Sequence, residues 1–473
     1  MHEAVSWVFA PRGPPARRLR QLRDFTRRSQ TRAYTRAQRE TGSEALRAGA
    51  GKGVGSMQAG QDIERIRGLS DAYAERIVQV RRHFHRNPEL SGQEVETSKF
   101  ICEVLDGWDV PYRLVRGPRP QGQRDEREEF IGTGIIAMLR GEAPGAYDAA
   151  GKPAKRIALR ADIDALPVVE KTDVPFASRN EGVMHACGHD THIAMLLGAM
   201  RILLDVREQL RGEVRFIFQP AEEVSIGARD MIAAGALEGV DAIYGAHIWS
   251  EVDAGTFSAQ TGQVMASTDW FRIDVQGASA HGSMPHKGVD AIVVAAEMVS
   301  TLQVLVSRDV SPFEPVVVTI GELHGGKARN IIASHAYFTG TVRTWHKKTR
   351  EMVEDRMERI CGKVAHAFNA EITFDYEAGN PALENDAACA QVAREAVAEL
   401  YGEEAVACYE GTLAGEDFSE YLAHVPGVFV FVGTRNPAIG ATWPQHSCHY
   451  TVDEAMLPKG SAVAARWAAK MLA

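Results

Sequence analysis

The chain has 473 residues, of which 45% are hydrophobic and 24% charged, with a net charge of −9. That length exceeds one ordinary core and implies two domains. The acidic balance argues against nucleic acid as main partner, because phosphate binding needs a basic surface, and no apolar run is read as reaching the ~20 residues that span a bilayer, so no membrane partner is expected.

Residues 11–47 are rich in arginine and poor in acids, a composition that suits an organelle transit segment or an unstructured tail. The glycine-rich run that follows favours a disordered tail over 1–60, with Met57 as an alternative start. Six cysteines (Cys102, Cys187, Cys361, Cys389, Cys408, Cys448) lie far apart with no C-x-x-C pair. That spacing points to free thiols in a reducing compartment, so cytoplasm is the expected location.

Ile77, Val80 and Phe84 are spaced as one helix face over 72–86, and Pro88 ends it. A second helix is expected over 95–105 and a charged surface loop over 118–129. Strand-like runs at 134–139, 156–161 and 214–218, with an apolar helix at 193–204, predict an α/β fold. Its sheet is mostly parallel and flanked by helices.

The pattern changes near residue 264. A strand at 271–276, a helix at 290–306, strands at 316–320 and 336–342, a helix at 350–368 and a strand at 371–376 give the order β-α-β-β-α-β. That order describes a ferredoxin-like α+β layer. Alternation resumes after 383, with a buried strand at 428–432. The simplest division is a larger domain in two parts, 61–264 and 381–473, with a small domain inserted over 265–380.

Chemistry concentrates in M-H-A-C-G-H-D-T-H, residues 184–192. Cysteine, histidine and glutamate are the side chains a borderline divalent cation selects. In extended backbone Cys187 and His189 face one way, and Gly188 lets the chain bend close to a metal. Asp190 is positioned to accept the free ring N–H of a ligating histidine. His247 and His446 are isolated candidates. Glu222 and Glu223 are adjacent carboxylates after a buried strand; one can bind a cation while its neighbour takes a proton from water. A solvated pair at a helix start is the alternative for these acids. His83 and His85 fall on a helix read as polar, and neither they nor His286 and His449 are taken as ligands. His185 is read as packed or hydrogen-bonded.

These runs occur in one order with F-Q-P-A-E-E (218–223), H-G-S-M-P-H (281–286), N-I-I-A (330–333), G-T-V-R-T (340–344), A-G-E-D-F-S (414–419) and H-S-C-H-Y-T-V-D-E (446–454). From about Ile77 onward the chain resembles the dinuclear metallopeptidase family of aminoacylases. The resemblance is to its amidohydrolase branch of hippurate, N-acyl-amino-acid and auxin-conjugate hydrolases. It implies two divalent metal ions, manganese or zinc, held by Cys187, His189, Glu223, His247 and His446, with Glu222 as general base. It implies that Asp162 supports a site histidine, while Arg160 stands where other branches place a ligand. It makes His281 an oxyanion donor, often toward a partner subunit's site, and Asn330 and Arg343 binders of the substrate carboxylate. Gly415 is either a close backbone approach to ligand or a plain turn glycine. Val224 and Ser225 depart from the usual glycines, and Cys448 from a usual proline.

The implied function is metal-dependent hydrolysis of N-acyl or N-aroyl amino acids by a catalytic domain with an inserted lid. The lid's free sheet edge implies a homodimer. A dipeptidase or aminopeptidase, which would need an acid for the substrate ammonium, is the enzymatic alternative. A non-catalytic metal-bearing binding protein is the other, and an unligated Glu222 speaks against it.

Overall fold

The structure, a computed structural model, describes residues 54–115 and 132–473. The expectations for the tail and for the 118–129 loop lie outside them, except that 54–60 already belong to the first helix.

The chain runs through α1 (Val54–Arg86), α2 (Val95–Gly107), β1 (Tyr112–Val115), β2 (Gly134–Arg140), β3 (Arg156–Asp162), α3 (His189–Asp205), β4 (Glu213–Gln219), α4 (Gly227–Ala233) and β5 (Ala242–Asp253). Short strands β6 (Phe257–Ser258) and β7 (Gly262–Met265) lead to β8 (Ser267–Gln276), α5 (Ala291–Val304), β9 (Val316–Gly325), β10 (His335–Thr344), α6 (Lys347–Ala367) and β11 (Glu371–Ala378). The return passes through β12 (Leu383–Asn385), α7 (Ala387–Tyr401), α8 (Phe418–Leu422), β13 (Gly427–Arg435) and α9 (Met456–Met471).

Seven strands form the large sheet in the order β1-β2-β4-β3-β5-β13-β6. Its centre, β4-β3-β5-β13, is parallel, and its edges are antiparallel. Alternate residues of each strand feed opposite faces. Leu159, Phe216, Phe218 and Val430 pack under α1, α3 and α9, whereas Ala158, Ile217, Ile243 and Phe429 pack toward α4 and α8. Burial on both sides explains why these strands read as continuous apolar runs. Parallel strands that all end at one edge leave their following loops together there.

Residues 267–378 build a second sheet, β11-β8-β10-β9, antiparallel throughout. It has its own core, in which Ile273, Phe338 and Val342 meet Val294 and Met298 of α5 and Val353 and Met357 of α6. The β-α-β-β-α-β order read from the sequence is the one observed. The chain leaves and re-enters the larger unit side by side, because β7 pairs antiparallel with β12.

By length and composition alone, Ala291–Asp309 could cross a membrane. Here Val294, Ala295, Met298 and Leu302 turn onto the sheet instead, and Asp290 caps the helix start through Ile292 N at 3.0 Å.

Candidate active site

The site gathers at the carboxyl ends of β3 and β4 and beside β5. Cys187 and His189 converge, but not through extended backbone. Gly188 has φ of +101° and is the first turn's cap, so the chain reverses between Cys187 and the helical His189. A Cβ on Gly188 would lie 2.4 Å from Ile248 Cδ1, so only glycine fits both the left-handed conformation and the space. Three further non-glycine residues with positive φ flank the cluster: Ala221 and Ser225, both at 55°, and His446 at 66°. Such conformations cost energy and gather where geometry is functional.

Among the triads of donor atoms that lie within 4.8 Å of one another in the described residues, two share Cys187. One joins Cys187 to His189 and His247, the other to Glu223 and His446. These are the five residues implied as ligands. Cys187 Sγ lies 3.4 Å from His247 Nε2, and Glu223 lies 3.6 Å from His446 Nε2 and 3.8 Å from His189 Nε2. Backbone contact ties the last segment in, His446 N donating to Ala186 O at 2.8 Å.

The surrounding bonds leave the right atoms free. His189 Nδ1 pairs with Asp164 Oδ1 at 3.1 Å, and His247 Nδ1 donates to Ile248 O at 2.5 Å. Each ring thus directs Nε2 inward. His189 Nε2 and Glu223 Oε1 are buried and have no hydrogen-bond partner, a cost that a cation at each triad would remove.

The electrostatics agree. Burial, with Glu223 and Glu222 facing it, pushes the Cys187 thiol well up. Burial, then Glu416 and Glu223, raises Glu222 well above the carboxylate range; burial also outweighs His189 in raising Glu223 to about 7. Burial opposes charge on His189, yet Asp162, Asp164 and Glu223 outweigh it and raise the ring to about 10. His247 is pushed well down by burial and His192. A divalent cation would have to displace the protons on these groups, and a thiol, imidazoles and a carboxylate gathered at one point are side chains that such a cation takes as ligands.

Several sequence expectations need correcting. Asp190 does not reach a ring of the cluster. It turns toward α1, 2.7 Å from Arg81 Nε and 2.9 Å from His85 Nδ1. His85, read as lying on a polar face, is buried in that network, with Glu170 at 3.2 Å. His185, by contrast, packs as expected: it is buried with neither ring nitrogen bonded, and burial lowers it to about 4. Asp162 does hold a histidine, but it is His192, at 2.5 Å; His192 Nε2 then accepts Ile248 N at 3.0 Å and is unavailable to a metal.

Sequence reading missed Asp164, which backs both sides of the cluster by accepting Glu223 N at 3.0 Å as well as pairing with His189. It also missed Glu416 and Asp417, whose carboxylates lie within 4.8 Å of Glu222. The signals were in plain view: A-D-I-D spaces two acids two apart on β3 and beyond it, and A-G-E-D was weighed only for its glycine.

The residues of the smaller unit do not join the cluster. His281 is exposed on a turn where Ser283 Oγ bonds its Nδ1 at 2.8 Å, and Asn330 is exposed with its carbonyl on Gly282 N at 2.8 Å. Arg343, on β10, is half-buried; its Nη1 has no hydrogen-bond partner and lies 3.5 Å from where a Gly415 Cβ would be. That same Cβ would meet Thr268 Cγ2 at 2.1 Å, so close packing against β8 explains the glycine. All six cysteines are free, as their spacing suggested.

Residues 158–470 match peptidase family M20/M25/M40. An N-acetyl-L-cysteine deacetylase of Bacillus subtilis is 37% identical over 385 residues, 81% of this chain and 85% of the relative. Thermostable carboxypeptidase 1 of Saccharolobus solfataricus is 38% identical over 400 residues, 83% of this chain and 95% of the relative. The crystal structure of a dinuclear metal-binding peptidase of family M20 from Bacillus subtilis superposes with a TM-score of 0.71. It is 36% identical, and the match covers 85% of this chain and 99% of that one. The chain belongs to peptidase family M20/M25/M40 and is a hydrolase acting on amide bonds.

Proposed function

We propose that this hydrolase cleaves the amide bond of N-acyl or N-aroyl amino acids, using two divalent cations, manganese or zinc, held by Cys187, His189, Glu223, His247 and His446. The observation that carries the reading is Glu222: its carboxylate lies within 4.8 Å of donor atoms of His189 and Glu223, yet it belongs to neither thiol-centred triad. The cations, when bound, would polarise the scissile carbonyl and acidify the attacking water. Glu222 accepts the water proton as the oxygen–carbon bond forms. It returns that proton to the amine nitrogen as the carbon–nitrogen bond breaks.

Arg343 supports a substrate with a free carboxylate, since an unpartnered guanidinium N–H beside the Gly415 turn is suited to a carboxylate oxygen. Asn330 and His281 complete our assignment, the first for the carboxylate end and the second as oxyanion donor. His281 faces solvent here, which suits a site completed by a second copy. The homodimer we propose would form along β9, an edge strand that carries exposed Val317 and Leu323. Leu323→Lys should then shift the protein to monomer in sedimentation; an unshifted dimer would place the interface elsewhere.

A dipeptide-cleaving reading is favoured by the carboxypeptidase relative. A panel of acetyl-, benzoyl- and indoleacetyl-amino acids beside dipeptides separates the two. Glu222→Gln should lower turnover at least about a hundredfold with metal content unchanged. Wild-type turnover in that variant would end the general-base assignment.

A further inference from the structure

Arg160, on β3, is buried, with 1% of its side chain exposed, and makes polar contacts through all three guanidinium nitrogens. Nη1 donates to Asp162 Oδ2 at 2.7 Å and Nε to Gln219 Oε1 at 2.9 Å. Nη2 meets Asp417 Oδ1 at 2.8 Å and Glu416 Oε1 at 3.0 Å. Asp417 is pinned further by Gln219 Nε2, 2.8 Å from both its oxygens, and by Ala228 N at 3.0 Å. The Asp417 amide in turn points at Glu222 Oε1, 3.4 Å away. Among the described residues, no other hydrogen bond to the Glu222 carboxylate is seen.

We infer that Arg160, acting through Glu416 and Asp417, is a positioning residue for the Glu222 carboxylate. The inference rests on the reading of Glu222 as general base. Its physical basis is charge. One guanidinium faces three buried carboxylates, those of Asp162, Glu416 and Asp417. Uncompensated buried charges are strongly destabilising. If the guanidinium lost its grip on the 416–417 turn, those two acids would turn toward water or take up protons. Either change withdraws the Asp417 amide from Glu222, and a misplacement of about 1 Å is enough to cost about a hundredfold in rate. Arg160 has a second arm, through Asp162 to His192, which borders the ligand His247. The test therefore has to separate base position from metal affinity.

Asp417→Asn removes one acceptor oxygen of the carboxylate with little change of shape, and Arg160→Lys keeps the cation but loses the fork. Both are assayed metal-loaded, with an N-acetyl- or N-benzoyl-amino acid that the wild type hydrolyses, and with metal content measured on the same samples. Each should lower kcat about 10- to 100-fold while KM moves less than about threefold and metal content stays at the wild-type value. The double variant should be no slower than Arg160→Lys alone, because the arginine acts through the aspartate. A crystal structure of Asp417→Asn should show the Glu222 carboxylate displaced.

Rates within about twofold of wild type at full metal content would overturn the inference, as would losses that track metal content or that multiply in the double variant. If Arg160→Lys does not fold, Asp417→Asn decides alone. Glu222→Gln runs alongside. If it is inactive while Asp417→Asn is fully active, only the positioning role falls. If it is active, the base reading falls and takes the positioning role with it.

Discussion

Replacing Gly188 by alanine perturbs the cluster at its narrowest point. The residue sits at φ of +101°, where a Cβ costs about 1–2 kcal/mol. The added methyl would also lie 2.4 Å from Ile248 Cδ1, 2.9 Å from Ile248 Cγ1 and 3.3 Å from the Tyr450 hydroxyl. Overpacking of that kind costs about 1–3 kcal/mol. The sum, about 2–5 kcal/mol, is a large part of the stability of an ordinary domain. Relief of the contact would push Cys187 and His189 apart, since Gly188 is the only residue between them. Denaturant melts and zinc titrations of Gly188→Ala should therefore show both a lower midpoint and weaker metal binding. Ile248→Val removes the nearest carbon, so the double variant should be more stable than the sum of the single changes predicts, with the 2.9 Å contact to Cγ1 and the conformational cost remaining. A melt within about 0.5 kcal/mol of wild type with full zinc binding would refute the steric argument.

Asp164→Asn should weaken zinc affinity about 10- to 100-fold, because one carboxylate pairs with the ring of His189 and accepts the amide of Glu223; unchanged affinity would count against it. His83 predicts a pH effect on stability. Burial lowers its ring to about 4 from an ordinary 6.5, while it stacks on Phe100 at 3.9 Å. The unfolded chain takes up this proton at a higher pH than the folded one. The ring therefore subtracts nothing above about pH 6.5 and progressively more as pH falls toward 4, at most about 3 kcal/mol. His83→Phe should flatten the stability curve in that window, and an identical slope in both proteins would contradict the assignment.

The amino-acid pattern revealed the elements and the five candidate ligands, but not the residues that aim them. Ligand types stand out because cysteine, histidine and paired glutamates are scarce together. Asp164, Glu416 and Asp417 are ordinary acids: A-D-I-D and A-G-E-D put them on view, but their partners lie far off in the chain, so nothing local said what they would hold. Asp190 misled for a geometric reason. The residue was expected beside a ligating ring, whereas α3 begins at His189 and its rotation carries Asp190 around to Arg81. Helical rotation also hid His85, whose buried partner Asp190 belongs to a segment more than a hundred residues later. The central strands were legible by their apolar runs, and β8 to β11 by their alternation. The extension of α1 back to Val54 was not, because glycines open that stretch.

The order of the candidate ligands along the chain has a consequence for biosynthesis. Cys187, His189, Glu223 and His247 all precede the four-stranded unit, and His446 follows it. On a ribosome the first triad can assemble as soon as β3, β4 and β5 pair, while the second lacks a corner until nearly the whole polypeptide has emerged. Under the proposed ligand assignment, the first triad could take a cation on the nascent chain, but the second must wait until His446 has emerged. On the proposed five-ligand reading, a ribosome-stalled fragment ending before His446 should bind about half as much divalent metal as the 473-residue chain.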